Sequence, residues 1–227
     1  MNLKEIAGYK AAEFVREGMI VGLGTGSTAN YAIQALGERV AAGLNIQAIS
    51  TSAGTTRLAA ECGIDILTFE EEPVVDITID GADEVNSDLN LIKGMGGALL
   101  REKIVAAAST REIIVADPSK LVSKLGTKSP LPVEVIPFGW PLAQRHLMDQ
   151  DLRVELRQRP SGDEPFLTDN GNFILDCHFP HGIDNPGTTE NFINSIPGVV
   201  ENGLFIGLAD LVIIAEEDGT CRLLEHN

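Results

Sequence analysis

Two stretches of this chain carry residue types that could do chemistry. The first is Asp80-Gly81-Ala82-Asp83-Glu84, followed by Lys93-Gly94-Met95-Gly96-Gly97-Ala98-Leu99-Leu100-Arg101-Glu102-Lys103. Carboxylates can move protons, a lysine can stabilise charge on an oxygen, and glycines admit a ligand close to the backbone. The second is Gly22-Leu23-Gly24-Thr25-Gly26-Ser27-Thr28. Its turn amides, with the hydroxyls of Thr25, Ser27 and Thr28, suit a small phosphate. A dinucleotide fingerprint would need glycine where Ser27 stands and an acid closing the next strand, which instead ends Ile49-Ser50-Thr51-Ser52. A nucleoside triphosphate loop would need a lysine that this turn lacks.

Each motif also has a plain reading. The glycine turn can be a tight turn whose Ser or Thr caps the next helix, and spacing leaves both readings open. Ser50 to Thr56 is a second hydroxyl-rich turn, best read as a cap. Asp80, Asp83 and Glu84 can form a wet surface loop or hold a divalent cation, a role with which Lys93 and Lys120 compete. Leu100, Ile104 and Ala107 are expected to mark the buried face of the helix that carries Glu102. That face lies about 200° from Glu102, which leaves its side chain to solvent or to a cleft. Composition alone favours solvent.

The elements that must position these residues follow from periodicity. Leu3, Ile6, Ala7, Ala11, Phe14 and Val15 recur at helical spacing, predicting an opening helix of about four turns that stops at Gly18. Strands are expected at Ile20–Leu23, Ile46–Ile49, Ile64–Phe69, Val74–Ile79 and Ile113–Ala116, with helices between the first and second, the second and third, and the last two. This alternation predicts a mainly parallel sheet, and Asp80 would close one of its buried strands, where such sheets bind ligands. Beyond Gly126 the order becomes strand Leu131–Pro137, helix Pro141–Met148, strands Arg153–Arg157 and Phe173–Cys177, helix Thr188–Ile196 and a strand from Val199. The Asn170-Gly171 pair signals a hairpin turn. Leu211–Ala215 would return to the first sheet. The expected fold is therefore α/β: a Rossmann-like, mainly parallel sheet flanked by helices, with an inserted ferredoxin-like α+β domain. The expected boundaries are 1–127 plus 204–227 for the first domain and 128–203 for the second.

Composition narrows the function classes. The 227 residues include 17 basic and 33 acidic side chains, a formal charge of −16 that argues against general nucleic-acid binding. The three cysteines, Cys62, Cys177 and Cys221, are far apart and form no Cys-x-x-Cys, so they read as free thiols. His178 and His181 lack a clustered partner for a metal. No apolar run is long enough to span a bilayer and none resembles a signal segment, so no membrane partner and a cytoplasmic setting are expected.

In this order the motifs resemble those of ribose-5-phosphate isomerases of the A type. The resemblance rests on Gly24 to Thr28, Asp80 to Glu84, Lys93 to Lys103, Asp117-Pro118-Ser119-Lys120, Leu131-Pro132-Val133-Glu134-Val135 and Ile196-Pro197-Gly198-Val199, and spans nearly the whole chain. It implies interconversion of ribose 5-phosphate and ribulose 5-phosphate without a cofactor or metal, by a homodimer or tetramer. It further implies that Glu102 is the base, and that Asp80, Asp83 and Lys93 bind the sugar and help open its ring. Gly81, Ala82, Gly94, Met95 and Gly96 would line that site. Thr25, Gly26, Ser27 and Thr28 would hold the phosphate, and Lys120 and Lys4 would add substrate contacts. Met95 stands where many members have glycine, so a positive φ there would be strained. A phosphosugar-sensing module would use the same turn, but it would usually adjoin a basic DNA-binding segment, which this sequence lacks.

Overall fold

The computed structural model describes residues 2–162 and 164–226. In chain order the elements are α1 (Leu3–Ala12), β1 (Ile20–Leu23), α2 (Ala29–Ala41), β2 (Gln47–Ser50), α3 (Ala53–Glu61), β3 (Asp65–Ile66), β4 (Ile77–Gly81), β5 (Glu84–Val85), β6 (Leu91–Ile92), α4 (Leu99–Ala108) and β7 (Glu112–Ala116). A 3-10 turn (Pro118–Lys120) precedes β8 (Leu131–Val135), α5 (Trp140–Met148), β9 (Arg153–Leu156), β10 (Phe173–His178), α6 (Pro186–Asn194), β11 (Val199–Asn202), β12 (Leu204–Phe205), β13 (Leu211–Ala215) and β14 (Cys221–Glu225). They form two compact units: Met1–Ala82 with Arg101–Leu121 and Gly207–Asn227, and Asp83–Leu100 with Val122–Ile206.

The first unit is built on a seven-stranded sheet of order β14-β13-β7-β4-β1-β2-β3. Every pairing is parallel except that of β13 with β14. Strands β7 and β13 are buried along their whole length, as expected of apolar runs covered on both faces. On one face Val21, Ile79 and Ile113 share a core with Ala7 and Ala11 of α1 and Ile33 and Leu36 of α2. A second cluster joins Ile49, Val75 and Val105. The strand order reverses between β1 and β4, a switch point where ligands bind beyond the carboxyl ends of the strands. Two expectations are corrected here. α1 stops at Ala12, and the Arg39 guanidinium binds the carbonyls of Ala12 and Val15 in the segment expected to be its last turn. The strand expected at Ile64–Phe69 is only Asp65–Ile66.

The second unit has a four-stranded antiparallel sheet of order β11-β8-β10-β9, with α5 and α6 in the β-α-β-β-α-β order expected. Residues 83–100 group with this unit, unlike the expected boundary, because β6 pairs with β5 on one side and with β12 on the other. The Thr168–Asn172 turn does more than reverse the chain. Thr168 Oγ1, Asn170 Nδ2 and Asn172 Nδ2 donate to Oε1 of the buried Glu134 at 2.9, 3.2 and 2.8 Å. Among the described residues, no helix is long and apolar enough to cross a membrane.

Candidate active site

In the first unit, Thr25 and Asp80 meet where β1 and β4 end. Leu23 of β1 is in register with Ile79 of β4, so the next residues on each strand emerge together. Asp80 is buried, and its Oδ1 accepts hydrogen bonds from Thr25 N–H at 3.1 Å and from Gly81 N–H at 2.7 Å. Gly26 takes φ +123° in the turn, a conformation that disfavours a side chain. Thr28 is the N-cap of α2 but makes no capping hydrogen bond, so the plain capping reading fails at this residue. Ser27 Oγ instead accepts from Lys4 Nζ at 2.8 Å, which brings a cation onto the turn.

The second hydroxyl turn has a role that its sequence did not reveal. Ser52 caps α3 by accepting from Thr55 N–H, as expected. Thr25 Oγ1 also lies 2.8 Å from Thr51 Oγ1, 2.8 Å from Ser52 Oγ and 3.1 Å from Thr55 Oγ1. Thr55 Oγ1 in turn donates to Gly24 O. The Ser50–Thr56 turn therefore buttresses the Gly24–Thr28 turn through a web of hydroxyls.

Glu102 lies in the first turn of α4 and is 4% exposed, which corrects the solvent-facing expectation. The helix is rotated relative to the sequence reading. Leu99, Glu102, Val105 and Ala106 are buried, whereas Ile104 and Ala107 are exposed. Apolar residues occur on both sides of this helix, so periodicity alone could not choose the inner one. Lys120 closes the 3-10 turn after β7, and Asp117 caps that turn by accepting from Ser119 N–H.

The second unit holds Asp83 and the glycine turn. Asp83 Oδ2 accepts from Met95 N–H at 3.0 Å. Lys93 is 2% exposed, with its ammonium 5.4 Å from the centroid of the Phe205 ring. Gly94 and Gly97 take the positive φ values of the turn, +104° and +80°, and Met95 does not. The strain that methionine could have brought is therefore absent, and its side chain is exposed. Glu84 is not part of a wet loop. It is fully buried, and its carboxylate accepts from Gly126, Lys128 and Ser129 N–H, each at 2.6 Å. Among the described residues, no group of three or more His, Cys, Asp or Glu is arranged to hold a metal ion.

Residues 47–219 match the family model for ribose 5-phosphate isomerase A (phosphoriboisomerase A). A ribose-5-phosphate isomerase A from Bacillus mycoides is 52% identical over 219 residues, covering 96% of this chain and 98% of its own. One from Gloeobacter violaceus is 54% identical over 218 residues, covering 96% and 94%. A D-ribose-5-phosphate isomerase solved in complex with phospho-erythronic acid superposes with TM-score 0.96 at 42% identity, covering all of both chains. Fold and sequence together define an aldose–ketose isomerase of sugar phosphates. The chain belongs to the ribose 5-phosphate isomerase A family.

Proposed function

We propose that this chain interconverts D-ribose 5-phosphate and D-ribulose 5-phosphate by moving one proton between C1 and C2 through an enediol(ate), with Glu102 as the base. The supporting observation is the buried Asp80 carboxylate at the strand switch point, tied by Thr25 N–H to a turn suited to phosphate. Asp80, Asp83 and Lys93 bind the sugar and assist ring opening, and Gly81, Ala82, Gly94, Met95 and Gly96 serve as further substrate-binding residues. Thr25, Gly26, Ser27 and Thr28 hold the phosphate, joined by Lys4 and Lys120. Phosphate binding is remote from the reacting carbons, so its energy can fix the open chain for proton transfer. Negative charge developing on oxygen is met by the Lys93 ammonium and the turn amides. A relative's complex with phospho-erythronic acid supports a phosphorylated sugar chain as the ligand class.

The reading extends to a homodimer or tetramer, a cytoplasmic setting and a place in the pentose phosphate pathway or a related carbon-fixing pathway. Self-association is supported by Phe138, which is 97% exposed, with Ile136, Leu142 and Val200 also exposed in the same unit. The deciding experiment incubates the protein with ribose 5-phosphate and EDTA, adds no cofactor, and measures ketose formation. Steady formation of ribulose 5-phosphate is expected. No product would overturn the activity, and loss of product only with chelator would move the chemistry to a metal on Asp80 and Asp83.

A further inference from the structure

Arg157 follows β9 and belongs to none of the motifs above. Its side chain is 11% exposed and that of Asp176 15%. Nε and Nη2 of Arg157 donate to Oδ2 and Oδ1 of Asp176 at 2.9 and 2.5 Å, a two-pronged pairing that fixes the guanidinium plane. The remaining nitrogen, Nη1, donates to two backbone carbonyls, Gly94 O at 2.9 Å and Met95 O at 3.2 Å. The guanidinium carbon lies 6.0 Å from the Phe166 ring centroid. Phe166 fills the space beside Gly97, where an added Cβ would meet its ring at 2.5 Å.

The consequence follows from peptide geometry. In a planar trans peptide the N–H points opposite to the C=O. Holding Gly94 O therefore turns Met95 N–H away from Arg157, and that N–H is the donor to Asp83 Oδ2. Holding Met95 O turns Gly96 N–H away from the guanidinium in the same manner. Gly94 O also receives Gly97 N–H at 3.0 Å, which closes the turn. One side chain thus sets two successive peptide planes.

We propose that Arg157, clamped by Asp176, is a positioning residue for the isomerisation. It orients the Gly94–Gly97 turn so that Asp83 and the turn amides meet the sugar end of the substrate. This inference rests on the reading of Asp83 and Lys93 to Gly96 as substrate-binding residues. Lysine cannot replace Arg157, because a point charge cannot grip a carboxylate with two donors and reach two carbonyls with a third.

The test uses Arg157→Lys, Arg157→Ala and Asp176→Asn in the full chain. Each is measured for kcat and KM with ribose 5-phosphate and for hydrogen–deuterium exchange of the 93–98 backbone, with Lys93→Met assayed alongside. In Arg157→Lys we expect faster exchange at 93–98 and kcat lower by on the order of 10- to 100-fold, as for a small misplacement of a reacting group. KM should change less than kcat. Asp176→Asn should act in the same direction, and adding it to Arg157→Lys should cost little more, because the two act as a unit. Should Arg157→Ala fail to fold, the lysine variant decides. Unchanged exchange at 93–98 overturns the inference whatever kcat does. Faster exchange with wild-type kcat, while Lys93→Met is inactive, also overturns it; full activity in Lys93→Met sinks instead the placement of the glycine turn in the site.

Discussion

Gly24 and Asp80 lie so close that the Cβ of any side chain at position 24 would sit 2.2 Å from Asp80 Oδ1 and 2.5 Å from its Cα. The glycine is required by this approach, since the obstacle includes backbone that cannot swing aside. Gly24→Ala is expected to cost about 1–3 kcal/mol of stability, the usual range for overpacking. It should also lower kcat/KM by displacing both the turn and the carboxylate. Thermal unfolding and steady-state kinetics check this. Gly43→Ala, at a glycine with nothing within 4 Å, should lose stability through its φ of +108° but leave kcat/KM intact.

Glu102→Gln keeps the size of the buried side chain and removes its capacity to take a proton. We expect kcat to fall on the order of 10²- to 10⁴-fold, the range for a lost general base. Binding of a non-reacting phosphosugar, read by calorimetry, should stay largely intact. A kcat near wild type removes Glu102 from the chemistry.

Glu84 belongs to the same acidic run but has a different task. Glutamine at this position offers one oxygen where the carboxylate offers two, and turns an NH₂ toward backbone donors. With three amides dependent on the carboxylate, Glu84→Gln should lose roughly 2–4 kcal/mol, as buried polar groups lose their partners. Denaturant melts measure the loss. Below the lowered melting point, kcat should be reduced far less than in Glu102→Gln.

The thiols differ in access. Burial, together with the neighbouring Asp176 charge, pushes the Cys177 thiol far above its ordinary range. Burial also raises the half-buried Cys62 and Cys221. A raised thiol pKa suppresses the reactive thiolate at pH 8, and the thiolate grows as pH rises toward that pKa. Iodoacetamide at pH 8 should therefore label Cys62 and Cys221 slowly and Cys177 only in urea. Mass spectrometry of the folded protein reads this directly, and early labelling of Cys177 contradicts its burial.

Much of the fold was legible because its signals are local. The apolar runs at Ile113–Ala116 and Leu211–Ala215 can hardly be anything but buried strands, and the β-α-β-β-α-β order followed from turn residues and periodicity. Gly24 to Thr28 and Asp80 were legible as motifs. What failed was whatever depends on a partner distant in sequence. The inner face of α4 is set by Ile49 and Val75 around Val105, so Leu100, Ile104 and Ala107 misled. Glu84 looked like its acidic neighbours until its amide partners, 42 to 45 positions away, came into view. Arg157 carried no signal, since its partners Gly94 and Met95 precede it by 63 and 62 residues.

Strand β7 finds its outer neighbour late. Glu112 N–H, at its start, is received by Asp210, 98 positions further on, just before β13. A chain emerging from the ribosome must therefore carry the apolar edge Ile113-Ile114-Val115-Ala116 uncovered while about a hundred more residues are made. An open, hydrophobic strand edge is a template for wrong pairing between chains. The hazard of mispairing thus falls on the newborn chain, in the interval before Leu211–Ala215 arrives to shield that edge.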